Sequence, residues 1–210
     1  MKPEFRLYLI TGRKSVKNKK LEDAVEEALQ GGVRAVQLRE KDMPVRELLQ
    51  LALRLREITN GHKARLFIND RVDVAELCRA DGVHLGGQSM PVQAVRKMCG
   101  DKKNKKLMIG VSAHTVEEAL SAQKGGADFV TFGPVFDTPS KRAYGTPLGL
   151  QKLKEAASVL EIPVFAIGGI KTGNIESVMD AGAFGAALIS GIFGADDIKG
   201  EAGLFMEALK

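Results

Sequence analysis

Residues 28–38 read ALQGGVRAVQL, and three other stretches repeat their plan: LCRADGVHL at 77–85, AQKGGADFV at 122–130 and VMDAGAFGAALI at 178–189. Each runs from the end of an amphipathic segment, through a glycine-containing break, into a short apolar run. Glycine suits the left-handed position just past a helix. Each stretch therefore reads as the joint where a helix hands over to a strand, and together they form a weak internal repeat of one helix–strand unit. The apolar runs are nearly continuous rather than alternating, which predicts strands buried on both faces, as in a parallel sheet.

Working outward from these joints, the pattern predicts strands over 5–10, 34–38, 65–68, 82–85, 106–111, 129–132, 164–167 and 186–189. Between them it predicts helices over 21–30, 44–60, 72–80, 91–98, 116–124, 150–160, 174–180 and 204–209. Eight strands in strict alternation with eight helices argue for an α/β fold of the (β/α)8 barrel type, one domain over residues 1–210. The rival is an open doubly wound sheet, but no GxGxxG follows the first strand.

Composition removes several functional classes. Lys and Arg total 31 and Asp and Glu 26, a net charge of +5, while aromatics are 5% and Trp is absent. A nucleic-acid surface would interleave basic residues with aromatics, so no nucleic-acid partner is expected; small anionic substrates suit the charge. The basic runs Arg13, Lys14, Lys17, Lys19, Lys20 and Lys102, Lys103, Lys105, Lys106 read as solvated surface. Cys78 and Cys99 form no CxxC pair, and Cys78 falls in the apolar pattern of a helix, where it would pack in the core. No signal-like segment or long apolar span occurs, so the chain reads as cytoplasmic, with no membrane partner. A homo-oligomer is compatible with the sequence. Glycine is in excess, 23 residues against roughly 15 from average usage.

In such a barrel the ligand site lies at the C-terminal ends of the strands. After the second strand, alternation puts Gln37, Arg39 and Lys41 on one side. Two cations and an amide suit an anion bearing a polar ring; a surface salt-bridge cluster with Glu40 and Asp42 is the other reading. After the third come Asn69 and Asp70. Asp70 is either a ligand for Mg2+, which takes one or two carboxylates plus phosphate oxygens, or the N-cap of the next helix. His84 reads as a structural, hydrogen-bonded histidine within a short strand, and Gly86 and Gly87 allow close backbone approach to a ligand. Ser112 follows the fifth strand in position to meet a leaving phosphate. Thr115 with Glu118 spells a capping box, and nothing pairs His114 into a triad. The longest loop follows the sixth strand. Its Thr138, Ser140 and Lys141 form either an anion clamp or an ordinary turn. Gly168-Gly169 after the seventh strand and Ser190-Gly191 after the eighth match the place where barrels bind phosphate. Two anion sites on one face would fit a reaction that joins or splits phosphorylated pieces.

QLREK at 37–41, FIND at 67–70, DGVHLG at 81–86, GVSAHT at 110–115, GPVFDTPSK at 133–141 and AIGGI at 166–170 occur in the order found in the thiamin phosphate synthase family. The chain resembles that family over about residues 7–192. The resemblance implies a (β/α)8 barrel that joins hydroxymethylpyrimidine pyrophosphate to thiazole phosphate and releases pyrophosphate, with Mg2+ as cofactor. It implies that Gln37, Arg39, Lys41 and Asn69 hold the pyrimidine pyrophosphate and that Ser112 and Lys141 help it depart, with Arg39 and Lys41 counted among the catalytic groups. Thr138 and Ser140 would line the thiazole side, and Gly168, Gly169, Ile189 and Ser190 would receive the thiazole phosphate. Asp70 would ligate Mg2+ with Ser89 beside it, although the synthases carry an acid where this chain has Ser89. The thiazole tautomerases of the same family carry a His where this chain has Pro134. Gly12 stands where family members have Asp. The set as a whole favours the synthase, with a tautomerase or a non-catalytic phosphate-ligand binding relative as alternatives.

Overall fold

A computed structural model of the chain describes residues 2–99, 107–138 and 146–210. Eight parallel strands close in sequence order into a barrel: β1 (Leu7–Ile10), β2 (Ala35–Leu38), β3 (Arg65–Asn69), β4 (Gly82–Leu85), β5 (Met108–Ala113), β6 (Phe129–Phe132), β7 (Val164–Ile167) and β8 (Gly185–Leu188). Closure is direct, with Tyr8 of β1 opposite Ala187 of β8. Around it run α1 (Leu21–Gln30), α2 (Val45–Gly61), α3 (Val72–Leu77), α4 (Val92–Cys99), α5 (Val116–Lys124), α6 (Gly149–Val159), α7 (Ile175–Asp180), α8 (Ser190–Phe193) and α9 (Ile198–Ala208).

The barrel reading holds, with several boundary corrections. The last helix begins at Ile198 rather than 204, because the Asp197 carboxylate caps it by accepting from the Gly200 amide at 2.8 Å. Gly200 and Gly203 lower helix propensity and hide that start in the sequence. The short α8 lies inside a segment read as loop. Strand β5 extends to Ala113, so Ser112 belongs to the strand itself, and β3 extends to Asn69. The left-handed joint position is Gly32, Gly126 and Gly182 in three of the four repeats, with φ of 107°, 94° and 88°, but Arg79 in the other, at φ 53°. Gly82 in that joint has a different task. A Cβ there would sit 2.5 Å from the Phe67 ring and 2.4 Å from the Met108 carbonyl oxygen, so only glycine admits the ring.

Two apolar regions hold the molecule. The larger lies between strands and helices, where Leu9, Val36, Ile68, Val83, Val130 and Ala166 meet the helix faces. Cys78 and Cys99 are buried there as free thiols. The smaller fills the barrel, with Phe5, Tyr8, Phe67, Phe129 and Phe165 in mutual ring contact. Phe5 precedes β1 and folds beneath it as a plug, 5.4 Å from Phe165 and 5.6 Å from Tyr8 between ring centroids. Each such aromatic pair contributes roughly 0.5–1.5 kcal/mol beyond its area burial. At the N-terminal ends of the strands, buried Asp81 accepts from the Leu66 amide at 2.9 Å and pairs with Arg56. Asp128 does the same two strands further round the barrel, with the Ile109 amide at 2.7 Å and with Arg96.

Candidate active site

The opposite end of the barrel gathers most of the residues singled out from the sequence. Gln37, the third residue of β2, is buried inside the barrel, its Nε2 donating to Tyr8 Oη at 3.1 Å. Arg39 follows, half-buried, its amide fixed by Thr11 Oγ1 at 2.8 Å. The two readings of this segment separate cleanly. Glu40 and Asp42 do form a salt-bridge cluster, but with Arg13 and Lys14 from the loop after β1: Arg13 reaches Glu40 at 3.6 Å and Asp42 at 3.1 Å, and Lys14 reaches Asp42 at 3.1 Å. Lys14 bonding accordingly lowers the Asp42 pKa. Among the described residues no ion pair engages Arg39 or Lys41. The two acids are thus engaged by the loop after β1, while the two cations engage no described acid.

Asp70 does not cap α3. It takes a left-handed φ of 60°, its amide donates to the His84 carbonyl at 2.9 Å, and its exposed carboxylate accepts from Asn69 Nδ2 at 2.8 Å and from the Ser89 hydroxyl. Ser89 Oγ in turn accepts from the Gly86 amide at 2.6 Å. The serine hydroxyl thus orients the Asp70 carboxylate. The oxygen-only donor set fits Mg2+ held by one carboxylate with substrate and water oxygens completing the shell. Among the described residues no three His, Cys, Asp or Glu side chains converge as a ready-made cage.

His84 and Ser112 meet at the floor of this end. His84 is 2% exposed, and its Nε2 lies 3.0 Å from Ser112 Oγ. Burial, reinforced by Arg39 and opposed by Asp70, drops its pKa to about 3, so the imidazole is neutral at physiological pH. The reading of His84 as a structural, hydrogen-bonded histidine agrees with this setting. Tyr8 and Thr131 belong to the same buried group and were missed in the sequence. The available signal was one polar residue in each otherwise apolar strand: Tyr in LYLI, Gln in AVQL, His in GVHL, Thr in FVTF.

Across the opening, Gly168 and Gly169 carry φ of 99° and 66°. A Cβ on Gly168 would meet Pro134 at 2.6 Å, and one on Gly169 would meet Phe136 at 2.7 Å. The pair therefore lets the loop after β6 lie against the loop after β7, an arrangement stapled by the Phe136 amide donating to the Gly168 carbonyl at 3.1 Å. Ser190 opens α8 on the neighbouring strand, and Ile189 precedes it, half-buried against Gly12. Thr138 is half-buried at the end of its described segment; Ser140, Lys141 and the basic run at 102–106 lie outside the described residues. Thr115 caps α5 as expected, accepting from the Glu118 amide at 3.1 Å, but the Glu118 carboxylate reaches the His114 amide at 2.7 Å instead of closing the box on Thr115.

A family model described as thiamine monophosphate synthase matches residues 7–192. A relative from Geobacter sulfurreducens is 51% identical over 196 residues, 93% of this chain and 90% of that protein. The thiamine-phosphate synthase of Halalkalibacterium halodurans is 42% identical over 207 residues, 99% of this chain and 96% of that protein. Among solved structures, a thiamine phosphate pyrophosphorylase from Pyrococcus furiosus matches with a TM-score of 0.88 at 36% identity, over 98% of this chain and 95% of that one.

Proposed function

Because this chain belongs to the thiamine monophosphate synthase family, we propose that it joins hydroxymethylpyrimidine pyrophosphate to thiazole phosphate with release of pyrophosphate. The observation that carries the reading is the segregation of charge after β2. Glu40 and Asp42 are taken up by Arg13 and Lys14, while Arg39 and Lys41 stay outside any ion pair among the described residues, on the end of the barrel that holds Asp70. Such cations stabilise negative charge as it grows on a departing pyrophosphate. Gln37 and Asn69 accompany Arg39 and Lys41 on the pyrimidine pyrophosphate, and Ser112 and Lys141 assist departure. Thr138 and Ser140 line the thiazole side. Gly168, Gly169, Ile189 and Ser190 receive the thiazole phosphate.

Asp70 is the residue that would hold Mg2+, with Ser89 fixing its carboxylate from behind. When bound, the metal neutralises pyrophosphate oxygens as a Lewis acid. The electron-rich aminopyrimidine can carry a transient benzylic-type cation once the leaving group goes, and the thiazole nitrogen captures it. The step asks for positioning and charge stabilisation more than for a general base, in keeping with a neutral, buried His84. Among the described residues no helix is long and apolar enough to cross a membrane.

The test is to incubate the purified chain with both substrates and MgCl2. Thiamin phosphate and pyrophosphate are expected in equal amounts. Proton exchange on the thiazole carboxylate without thiamin phosphate would assign a tautomerase instead, and tight binding without either reaction a non-catalytic relative. Ser89→Asp sharpens the metal assignment. A second carboxylate beside Asp70 is expected to lower the Mg2+ concentration for half-maximal rate about tenfold, and an unchanged titration would put position 89 beyond the metal's reach.

A further inference from the structure

Inside the barrel, Tyr8, Gln37, His84 and Thr131 are at most 2% exposed, yet all four are polar. They form one connected chain that ends at the half-exposed Ser112. Gln37 Nε2 donates to Tyr8 Oη at 3.1 Å, Tyr8 Oη lies 3.4 Å from His84 Nδ1, and His84 Nε2 lies 3.0 Å from Ser112 Oγ. Thr131 Oγ1 stands 3.4 Å from both His84 Nε2 and Ser112 Oγ.

The direction of this chain follows from counting protons. An amide nitrogen only donates, so the tyrosine oxygen accepts from Gln37 and must place its single proton elsewhere. Nδ1 of His84 is the acceptor within reach. A neutral imidazole with a bare Nδ1 carries its proton on Nε2 and donates to Ser112. Thr131 donates to Ser112 as well. The serine oxygen then receives from His84 and Thr131, and among the described residues no acceptor takes its own proton, which is left for the open end of the barrel.

We propose that Tyr8 and His84 are positioning residues that set the polarity of Ser112, holding its hydroxyl as an outward donor to an anionic ligand oxygen. The proposal rests on the synthase reading for the identity of that oxygen, which belongs to the departing pyrophosphate. A donor already aimed before the substrate arrives needs no reorganisation as charge develops, the condition under which such groups are most effective. The apolar rings around the chain keep it from swapping partners with water: Phe67 and Phe129 stand edge-on to Tyr8 at 5.2 and 5.3 Å. None of this involves proton transfer; the relay fixes an orientation.

Two measurements test it. In 15N-imidazole spectra of the wild-type chain, with the His84 signal assigned by its loss in His84→Gln, the Nε2-protonated, Nδ1-bare tautomer is expected. The opposite tautomer overturns the proposal, whether or not the chain turns over thiamin precursors. The second measurement is kinetic. Tyr8→Phe keeps the ring and removes the hydroxyl, and is expected to lower kcat about tenfold with KM for thiazole phosphate unchanged. In a Ser112→Ala background the same change is expected to lower kcat less than about twofold, since the hydroxyl it orients is gone. Equal losses in the two backgrounds would show that Tyr8 acts through packing alone and would overturn the proposal. Absence of thiamin phosphate formation in the wild type would instead count against the synthase reading, leaving the tautomer as the measure of the relay.

Discussion

The two ends of the barrel use the same residue types to opposite purposes. At the N-terminal ends of the strands, Asp81 and Asp128 are buried, each bonded to the amide of the second residue of the neighbouring strand and each paired with an arginine. At the C-terminal ends, Asp70 is exposed in a left-handed backbone, and Arg39 and Lys41 stand outside any ion pair among the described residues. Charge at the first end is consumed in holding strands in register. Charge at the second end is left available, because the acids nearest in sequence are drawn away by Arg13 and Lys14. A fold of this kind can separate stability from ligand binding because its closed sheet holds the strands without help from the loops at the open end.

The largest expected effect breaks the N-terminal end. Asp128→Ala leaves the Arg96 guanidinium and the Ile109 amide without their carboxylate, on a side chain only 4% exposed. Removing one partner of a buried pair costs about 3–5 kcal/mol, to be read from urea unfolding. The folded fraction is expected to keep its kcat; a loss of kcat at native stability would erase the distinction between the ends.

The reciprocal change comes next in size. Arg39→Ala removes a cation that engages no described acid and whose backbone amide, bonded to Thr11, is untouched. Stability is expected to move by less than about 0.5 kcal/mol. In contrast, kcat/KM for the pyrimidine pyrophosphate is expected to fall about 10²–10³-fold, the loss typical of one preorganised charge-stabilising group. A stability loss comparable to that of Asp128→Ala would show that the free cations also hold the fold.

The N-terminal end was the more legible of the two. Its joints announce themselves as glycine breaks between a helix and an apolar run, and four copies fix the period. The exception is instructive: Arg79 takes the left-handed turn where a glycine was expected, and Gly82 is needed instead for the Phe67 ring, a contact between residues 15 apart that local pattern does not encode. At the other end, strand alternation put Gln37 on the inner face of β2, where its amide meets Tyr8. It did not reveal that Ser89 serves Asp70, nor that Tyr8 and Thr131 join His84, because those bonds cross from strand to strand and depend on barrel closure. Nor did it reveal that Gly168 and Gly169 admit Pro134 and Phe136, a packing task that the phosphate reading of these glycines does not include.

The smallest expected effect sharpens the comparison from within the ligand-facing end. Thr115 lies just beyond β5, three residues from Ser112, and is exposed like a binding hydroxyl. Its bonds belong to the fold, however. Oγ1 accepts from the Glu118 amide at 3.1 Å, and the Glu118 carboxylate accepts from the His114 amide at 2.7 Å, so two donors at the start of α5 are satisfied by side chains of its own first turn. Thr115→Ala is therefore expected to lower stability by about 1 kcal/mol, measured by urea unfolding, with kcat/KM within about twofold of the wild type. A tenfold loss of kcat/KM at that modest stability change would move Thr115 into the group that meets the ligand, and would mean that position along the strand, rather than prior commitment of the side chain, decides which hydroxyls the site can use.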